Sequence, residues 1–170
     1  QAVLSQKFKT LMTQSKGDHM VEVTSALLKI NPSYKKIILE LGNLKSEMDF
    51  YSSLIQPQVA IVTEITPSDG TFSETAKLLS RLPNNGVAIL NWNNATNKKL
   101  AKETTANIIY YGTDPQTCTV WAGNIKIENF KTTYELNLGV ERVKVELPTL
   151  GLHQIYPALA AAALGLVYNI

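Results

Sequence analysis

The chain has 170 residues, of which 45% are hydrophobic and 18% charged, a balance that fits one globular domain with a full core. The net charge is only +2, and Arg81 and Arg142 are the two arginines, so the composition does not predict a nucleic-acid partner. A single cysteine, Cys118, excludes an internal disulfide and a Cys-x-x-Cys zinc site, and His19 and His153 lie far apart in the sequence. The composition therefore indicates a cytoplasmic protein without a His/Cys metal cluster.

The ends of the chain carry no membrane signal. A membrane helix needs about 18 to 20 apolar residues, and the nearest segment, 158–167, is short and rich in alanine. The start has no basic segment followed by an apolar one, so we expect neither a secretory leader nor membrane insertion. The sequence opens at Gln1, and the spacing of Val3, Leu4, Phe8 and Leu11 predicts an amphipathic helix there. We interpret the chain as a fragment of a longer protein.

Residues 1–112 predict a parallel sheet covered by helices. Short apolar runs at 36–41, 59–63, 86–91 and 107–111 alternate with segments of helical spacing at 46–55, 72–82 and 96–104. Continuous apolar strands separated by helices are typical of a sheet that is buried on both faces.

Residues 113–150 follow a different pattern. Apolar and polar residues alternate over 117–122, 125–130, 132–138 and 142–147, which predicts half-exposed antiparallel strands with turns at Asn124 and Gly139. Residues 151–170 end the chain with a helix predicted over 157–166, with Pro157 at its first position. The expected fold is therefore one α/β domain, a mostly parallel sheet flanked by helices with a small antiparallel β element.

Candidate functional residues follow the predicted parallel strands, because ligands bind at the carboxyl ends of such strands. They are Glu40 with Gly42 and Asn43 at the first run, residues 63–69 with Glu64 and Asp69 after the second, residues 91–94 with Asn91 after the third, and residues 112–114 after the fourth. Glu40 and Asp69 are expected to converge on one cleft and, with Glu64, to suit Mg²⁺ bound to a nucleotide. The alternative is that Glu40 is a strand-end charge and Asp69 a turn residue.

Several common catalytic motifs are absent from the sequence. Neither a G-x-x-x-x-G-K-[ST] loop nor a G-x-G-x-x-G loop occurs, so the chain offers no recognisable phosphate cradle. No nucleophile elbow lies near His19 or His153. Lys77, on the second predicted helix, fits a solvated helix face as well as a functional role.

Three segments, in this order, resemble the central domain of the Mur ligases. They are IILELGNLKSEMDFYSSLIQPQVAIVTEI at 37–65, LPNNGVAILNWNN at 82–94 and GLHQIYPALAAAALGL at 151–166. The first segment is similar to a family strand that ends in Glu-x-Gly, followed by a Pro and a strand that ends in Thr-Asn-Ile. The second is similar to Leu-Pro-x-x-Gly-x-x-Val-x-Asn-x-Asp-Asp. The third is similar to Gly-x-His-Asn-x-x-Asn-Ala-x-Ala-Ala. The resemblance covers almost the whole chain. It is strongest to the branch that adds D-alanyl-D-alanine to a UDP-muramoyl tripeptide.

The resemblance implies a fold, a reaction and residue roles. The central domain of this family binds ATP and Mg²⁺, an acyl phosphate forms on the substrate carboxylate, and an amine displaces the phosphate to make an amide bond. It implies Glu40 as a catalytic Mg²⁺ ligand, Asp69 as a second metal-site residue, and Lys77 as the lysine that the family carbamylates. His153 and Asn91 are implied to contact the nucleotide. The expected partners are UDP-muramoyl-peptides and amino acids or dipeptides, held through flanking domains.

The sequence also departs from the family pattern. The phosphate-binding loop that precedes the opening segment in the family is missing, which predicts that the isolated chain is inactive. Glu64 replaces an asparagine, Asp69 stands in place of a metal-site histidine, and Pro157 replaces an asparagine that would bond the adenine. Two alternatives therefore stay open, a divergent non-catalytic binding or assembly module and a generic nucleotide- or sugar-binding α/β domain.

Overall fold

The computed structural model describes residues 1–14, 19–42, 47–65 and 70–170. Asp69, one of the predicted metal ligands, lies outside the described residues. Short 3-10 turns occur at Leu4–Gln6, Ala101–Glu103 and Leu152–Gln154. The helices are α1 (His19–Leu28), α2 (Met48–Ile55), α3 (Thr71–Ser80), α4 (Ala95–Leu100) and α5 (Ile155–Tyr168). The strands are β1 (Thr10–Met12), β2 (Lys36–Ile38), β3 (Val59–Val62), β4 (Val87–Asn91), β5 (Asn107–Gly112), β6 (Val120–Glu128), β7 (Lys131–Leu138) and β8 (Glu141–Leu147).

The larger sheet has six strands in the order β3-β4-β5-β6-β7-β8. Pairing is parallel from β3 to β6 and antiparallel from β6 to β8. A second sheet consists of β1 and β2, which also pair in parallel. The predicted fold class, a mostly parallel sheet flanked by helices with an antiparallel β element, is confirmed.

The central strand β4 shows why both faces of this sheet are covered. Ala88, Ile89 and Leu90 are all fully buried, and successive side chains point to opposite faces. Ala88 and Leu90 pack in a cluster with Leu79 of α3 and Leu100 of α4. Ile89 belongs to the cluster on the other face. A strand buried on both sides needs the unbroken apolar sequence VAIL that it has.

Helix α5 covers that other face of the sheet. Its buried residues Leu159, Ala160 and Ala163 pack with Tyr111 of β5 and Val120 of β6. The two alanines add little bulk, which lets the helix backbone approach the strands closely. Among the described helices none is both long and apolar enough to cross a bilayer.

The helix predicted at the start of the chain is wrong. Residues Leu4–Gln6 form a single 3-10 turn, and Thr10–Met12 form β1. The apolar residues of this segment instead pack against parts of the chain that are distant in sequence. Leu4 and Leu11 are buried, Leu11 within β1, and the Phe8 ring packs edge-on against Tyr168 with centroids 5.8 Å apart. Pairing of β1 with β2 overrides the local helical pattern. Helix α1 (His19–Leu28) was not predicted from the sequence.

The antiparallel element also differs in detail from the prediction. One strand, β6, replaces the two expected over 117–122 and 125–130, and Asn124 sits at φ 51 where the register shifts between Gly123 and Lys126. Asn124 therefore belongs to a bulge, not a turn. The turn lies at Asn129 and Phe130, both with positive φ, as a two-residue type I′ hairpin requires. The run 36–41 forms a strand over only its first three residues.

Candidate active site

The carboxyl ends of the parallel strands define the candidate site. Strands β3, β4 and β5 are neighbours in one sheet, so the residues that follow them lie along one edge. The segments there are 63–65, 92–94 and 113–119, and residues 39–42 follow β2 in the smaller sheet. Open parallel sheets bind ligands at this edge.

Glu40 lies just beyond β2 with an exposed side chain. Its backbone N–H donates to Thr13 Oγ1 at 3.0 Å, and the N–H of Thr13 donates to the carbonyl of Ile38 at 3.1 Å. Thr13 is 3% exposed, so this tie is held inside the protein. The backbone of Glu40 is thereby fixed while its carboxylate faces solvent, which leaves it able to coordinate a cation.

Glu64 and the start of α5 approach each other at this edge. Burial, followed by the charge of Glu64, raises the pKa of Tyr156 in the first turn of α5. Tyr111, at the end of β5, donates its hydroxyl to the Val62 carbonyl at 3.1 Å. Burial and the neighbouring Tyr156 raise the pKa of Tyr111, so this hydroxyl keeps its proton. The end of β3 is therefore held by the buried Tyr111, and Glu64 beyond it lies near the half-buried Tyr156 of α5.

Asn91, the predicted nucleotide contact, ends β4 and is 4% exposed. Its Oδ1 accepts the backbone N–H of Asn93 at 3.0 Å, which closes a tight turn. Asn94 then caps α4, since its Oδ1 accepts two backbone N–H groups of the first turn, and its Nδ2 donates to the Ile65 carbonyl. These asparagines shape the loop after β4 and tie it to the loop after β3.

The side chain of Asn93 joins the loops after β4 and β5. Its Oδ1 accepts the N–H of Thr113 at 2.9 Å, and its Nδ2 donates to Thr113 Oγ1 at 2.8 Å. Gly112 makes this possible, because a Cβ at that position would overlap Asn93 Oδ1 and lie 3.2 Å from Cys118 Sγ. The glycine is required by close approach, not by an unusual φ.

Sequence reasoning placed Trp92 and Asp114 at neighbouring strand ends, but it did not predict the polar cluster that they form with Lys98. The indole Nε1 donates to Asp114 Oδ2 at 3.1 Å, and the ammonium of Lys98 lies 4.0 Å from the Trp92 ring centroid. Hydrogen bonds from the Gln116 backbone and the Thr117 hydroxyl hold the pKa of Asp114 below its usual range. The Asp-Pro-x-Thr spacing at 114–117 was a turn signal, but nothing in the sequence linked that turn to Lys98.

Lys77 is exposed in the last turn of α3. A hydrogen bond from Arg81, followed by the charge of Lys77, lowers the pKa of Asp49 in the first turn of α2. The Arg81 to Asp49 ion pair measures 2.8 Å. Lys77 therefore lies on a charged surface between α2 and α3.

His153 is exposed in the 3-10 turn that leads into α5. Gly151, two residues earlier, has φ 112, and a Cβ there would lie 2.7 Å from the His153 ring. The Gly-x-His spacing thus has a local physical reason, since the imidazole folds back over the glycine backbone.

No group of three or more His, Cys, Asp or Glu side chains gathers into a metal site within the ranges that the structure describes. The expectation that the runs 36–41 and 59–63 form neighbouring strands is wrong, because β2 pairs with β1 in the smaller sheet and β3 pairs with β4. Asp69 lies outside the described ranges, so its convergence with Glu40 stays a prediction. The carboxylates that the structure does show just beyond the parallel strands are Glu40 after β2, Glu64 after β3 and Asp114 after β5.

Comparison with known proteins identifies this architecture. A family profile described as the Mur ligase middle domain matches residues 1–165. The chain belongs to this family. It is 31% identical over 97% of its length to the UDP-N-acetylmuramoyl-tripeptide–D-alanyl-D-alanine ligase of Escherichia coli, and 28% identical over 92% to the ligase of the same name from Haemophilus influenzae. The resemblance found in the sequence is confirmed.

Solved structures of the family share the fold. MurF from Acinetobacter baumannii superposes on 99% of this chain with a TM-score of 0.86 at 23% identity. The Thermotoga maritima MurF ligase in complex with ADP superposes on 98% of this chain with a TM-score of 0.79 at 13% identity. This Mur ligase middle domain spans 39% of the Escherichia coli relative and 35% of the Haemophilus influenzae one. Flanking parts of those proteins thus have no counterpart in these 170 residues.

Proposed function

We propose that the whole protein is a cytoplasmic, ATP-dependent ligase of peptidoglycan precursor synthesis, and that this chain is its nucleotide-binding middle domain. Its substrates would be a UDP-muramoyl-peptide and an amino acid or dipeptide, with D-alanyl-D-alanine favoured. The observation that carries the proposal is the family match over residues 1–165 together with 31% identity to a ligase named for that reaction.

The donors at the strand ends fit Mg²⁺. Glu40 and Glu64 offer exposed carboxylate oxygens, which are the ligands that this hard cation prefers. Glu40 is the stronger candidate because its backbone is anchored to Thr13 while its carboxylate is free. In this proposal Glu40 holds the cation, Asp69 contributes beside it, and Lys77 carries the second-metal role. Assignment of Lys77 requires a gap in the alignment near Phe72.

The start of α5 supplies the nucleotide side of the proposed site. His153 lies in the turn before this helix, and Asn91 shapes the loop at the end of β4. ATP, when bound, would supply the phosphoryl group that activates the substrate carboxylate. His153 and Asn91 would orient that nucleotide, while the ties from Asn93 to Thr113 and from Asn94 to Ile65 keep the edge of the site in place.

This chain by itself lacks the phosphate-binding loop motif. Such loops hold phosphates through backbone N–H groups and a lysine, and without them the affinity for the triphosphate falls. We therefore expect the isolated chain to bind ATP weakly and to release no phosphate. Activity would need the phosphate loop and the flanking domains.

A specific observation favours the alternative of a divergent, non-catalytic module. Glu64 places a negative charge near the start of α5, and Pro157, exposed in that first turn, has no side-chain donor for an adenine. In that case the whole protein would keep the fold for binding or assembly and would not hydrolyse ATP.

Glu40→Ala in the whole protein tests the ligase proposal. Loss of a cation ligand removes stabilisation of charge in the transition state, so we expect phosphate release to fall by at least about 100-fold. Stability should change by no more than about 0.5 kcal/mol, because the side chain is exposed. The assay is phosphate release with UDP-muramoyl tripeptide and D-alanyl-D-alanine, with thermal melting in parallel.

Glu128→Ala, an exposed glutamate at the end of β6, is the matched control and should keep wild-type turnover. Full turnover in Glu40→Ala would contradict the metal-ligand role. A folded whole protein with no phosphate release on any muramoyl-peptide would favour the non-catalytic module. Lys77→Ala, assayed in the same way, tests whether Lys77 corresponds to the lysine that the family carbamylates. It does not test whether the chain belongs to the family.

A further inference from the structure

The amino ends of β1 and β2 carry a concentration of lysines in segments that contain no acidic residue. The segments 1–10, 29–36 and 164–170 contain no Asp or Glu, although the chain as a whole is nearly neutral. Their lysines, here called the basic face, are Lys7, Lys9, Lys29, Lys35 and Lys36. The face lies at the end of the smaller sheet opposite Glu40, since both strands run from the basic face toward the candidate site.

Hydrogen bonds hold the segments of the basic face together. The backbone N–H groups of Lys35 and Lys36 donate to the Lys9 carbonyl at 2.9 and 3.4 Å. The Lys9 ammonium donates to Ser33 Oγ at 3.0 Å, and Asn31 links Ser33 to the carbonyl of Lys29. The lysines therefore sit on one connected surface and not on independent loops.

Aromatic rings lie beside Lys7, Lys9 and Lys36 of the basic face. The Lys36 ammonium is 3.9 Å from the Tyr168 ring centroid and 5.1 Å from that of Phe8, and Lys9 is 5.1 Å from the ring of Tyr34. Lys7 donates to the Tyr168 carbonyl at the end of α5. The Lys and Arg ion pairs formed among the described residues lie elsewhere, in Arg81–Asp49, Lys131–Glu146 and Arg142–Glu135. The positive charge of the basic face is thus not neutralised within this part of the protein.

Two apolar side chains project beside the lysines. Leu28, at the end of α1, is 83% exposed, and Ile30 is 43% exposed. Lys29 lies between them in the sequence. Exposed apolar side chains flanked by lysines are the combination that binds at the interface of an anionic bilayer, where the apolar groups enter the headgroup region and the lysines meet lipid phosphates.

We propose that the basic face docks the protein peripherally on an anionic phospholipid bilayer. Nucleic acid fits less well, because both arginines lie elsewhere and the rings are covered by lysines and so are not open for base stacking. An acidic protein would satisfy the charges but gives no role to Leu28. Docking at this end leaves the carboxyl edge of the sheets accessible. The proposal does not depend on the ligase function.

Vesicle co-sedimentation of the whole protein tests this proposal. Vesicles of phosphatidylcholine are compared with vesicles that also contain phosphatidylglycerol, at low and high salt. Each lysine near such a surface contributes about fivefold to binding, so removing four should weaken it at least about tenfold even without full additivity. The test variant replaces four lysines of the basic face: Lys9→Gln, Lys29→Gln, Lys35→Gln and Lys36→Gln. The control variant makes the same charge change elsewhere: Lys99→Gln, Lys102→Gln, Lys126→Gln and Lys144→Gln.

We expect binding only to the anionic vesicles, weakening with salt, lost in the test variant and kept in the control. Leu28→Ser should weaken binding severalfold without changing its dependence on salt. If the test variant fails to fold, as judged by its melting curve, the exposed pair Lys29→Gln and Lys35→Gln replaces it and should still lower binding. No sedimentation by the wild-type protein, or equal loss in test and control variants, would overturn the proposal. So would tighter binding to a labelled single-stranded DNA in the same buffer.

Discussion

Gly112→Ala should loosen the junction between the loops after β4 and β5. The new Cβ would overlap Asn93 Oδ1, and because Asn93 is exposed its side chain can rotate away into solvent. That rotation breaks both hydrogen bonds to Thr113, at 2.9 and 2.8 Å. The strand backbone itself need not move, so the loss should stay local.

The expected magnitude follows from those two bonds. Each hydrogen bond contributes about 1 kcal/mol net, which gives a loss of about 2 kcal/mol in the free energy of unfolding. For a domain of this size about 2 kcal/mol corresponds to a decrease of roughly 4–8 °C in Tm. The 3.2 Å approach to Cys118 Sγ adds little if the thiol shifts by a few tenths of an ångström.

A double-mutant cycle measured by urea unfolding tests the reasoning. Asn93→Ala alone should lose the same two bonds, so Gly112→Ala added to it should cost less than about 0.5 kcal/mol. Asn85→Ala, an exposed asparagine before β4, is the control for loss of an asparagine and should be nearly neutral. If Gly112→Ala destabilises the protein equally with and without Asn93, the overlap with Asn93 is not the cause.

Two further predictions concern titratable groups. Burial raises the pKa of the Cys118 thiol to about 11, so at pH 8 roughly one molecule in a thousand holds the reactive thiolate. Alkylation by iodoacetamide should therefore be slow in the folded chain and fast in urea. Rapid labelling of the folded chain would contradict this prediction. Hydrogen bonds lower the pKa of Asp114, so its contribution to stability is present above the unfolded pKa of about 3.9 and is lost as pH falls through the lower folded pKa. The stability gap between wild type and Asp114→Asn, from urea unfolding, should therefore shrink as pH falls below about 4, and a constant gap would refute it.

The elements that the sequence predicted well depend on neighbours close in the chain. The run VAIL of β4 had to be buried on both faces, and the helical spacing of 72–82 predicted α3, whose apolar residues pack against the sheet. Gly139, expected in a turn, lies between β7 and β8 at φ 61. In each case the period of the apolar residues and the freedom of glycine are properties of a short segment.

The errors arose where distant segments decide the local conformation. Val3, Leu4, Phe8 and Leu11 have helical spacing, yet the Phe8 ring packs against Tyr168 and Leu11 pairs with Ile37 of β2. Asn129 and Phe130 form the β6 to β7 turn, although a phenylalanine with positive φ is not a turn signal. Seven paired positions between these strands impose that geometry on the two residues.

The sequence by itself determined the layered α/β fold and, through three ordered motifs, the family. It placed Glu40, Asn91 and His153 near strand ends or a helix start because those positions follow from periodicity and motif spacing. Only the tertiary structure decided which side chains meet, because contacts such as Trp92 with Asp114 and Asn97 Nδ2 with the Val62 carbonyl join residues 22 and 35 positions apart. The periods of strands and helices are two residues and three to four residues. Such short periods carry no information about which residues meet when they are more than 20 positions apart.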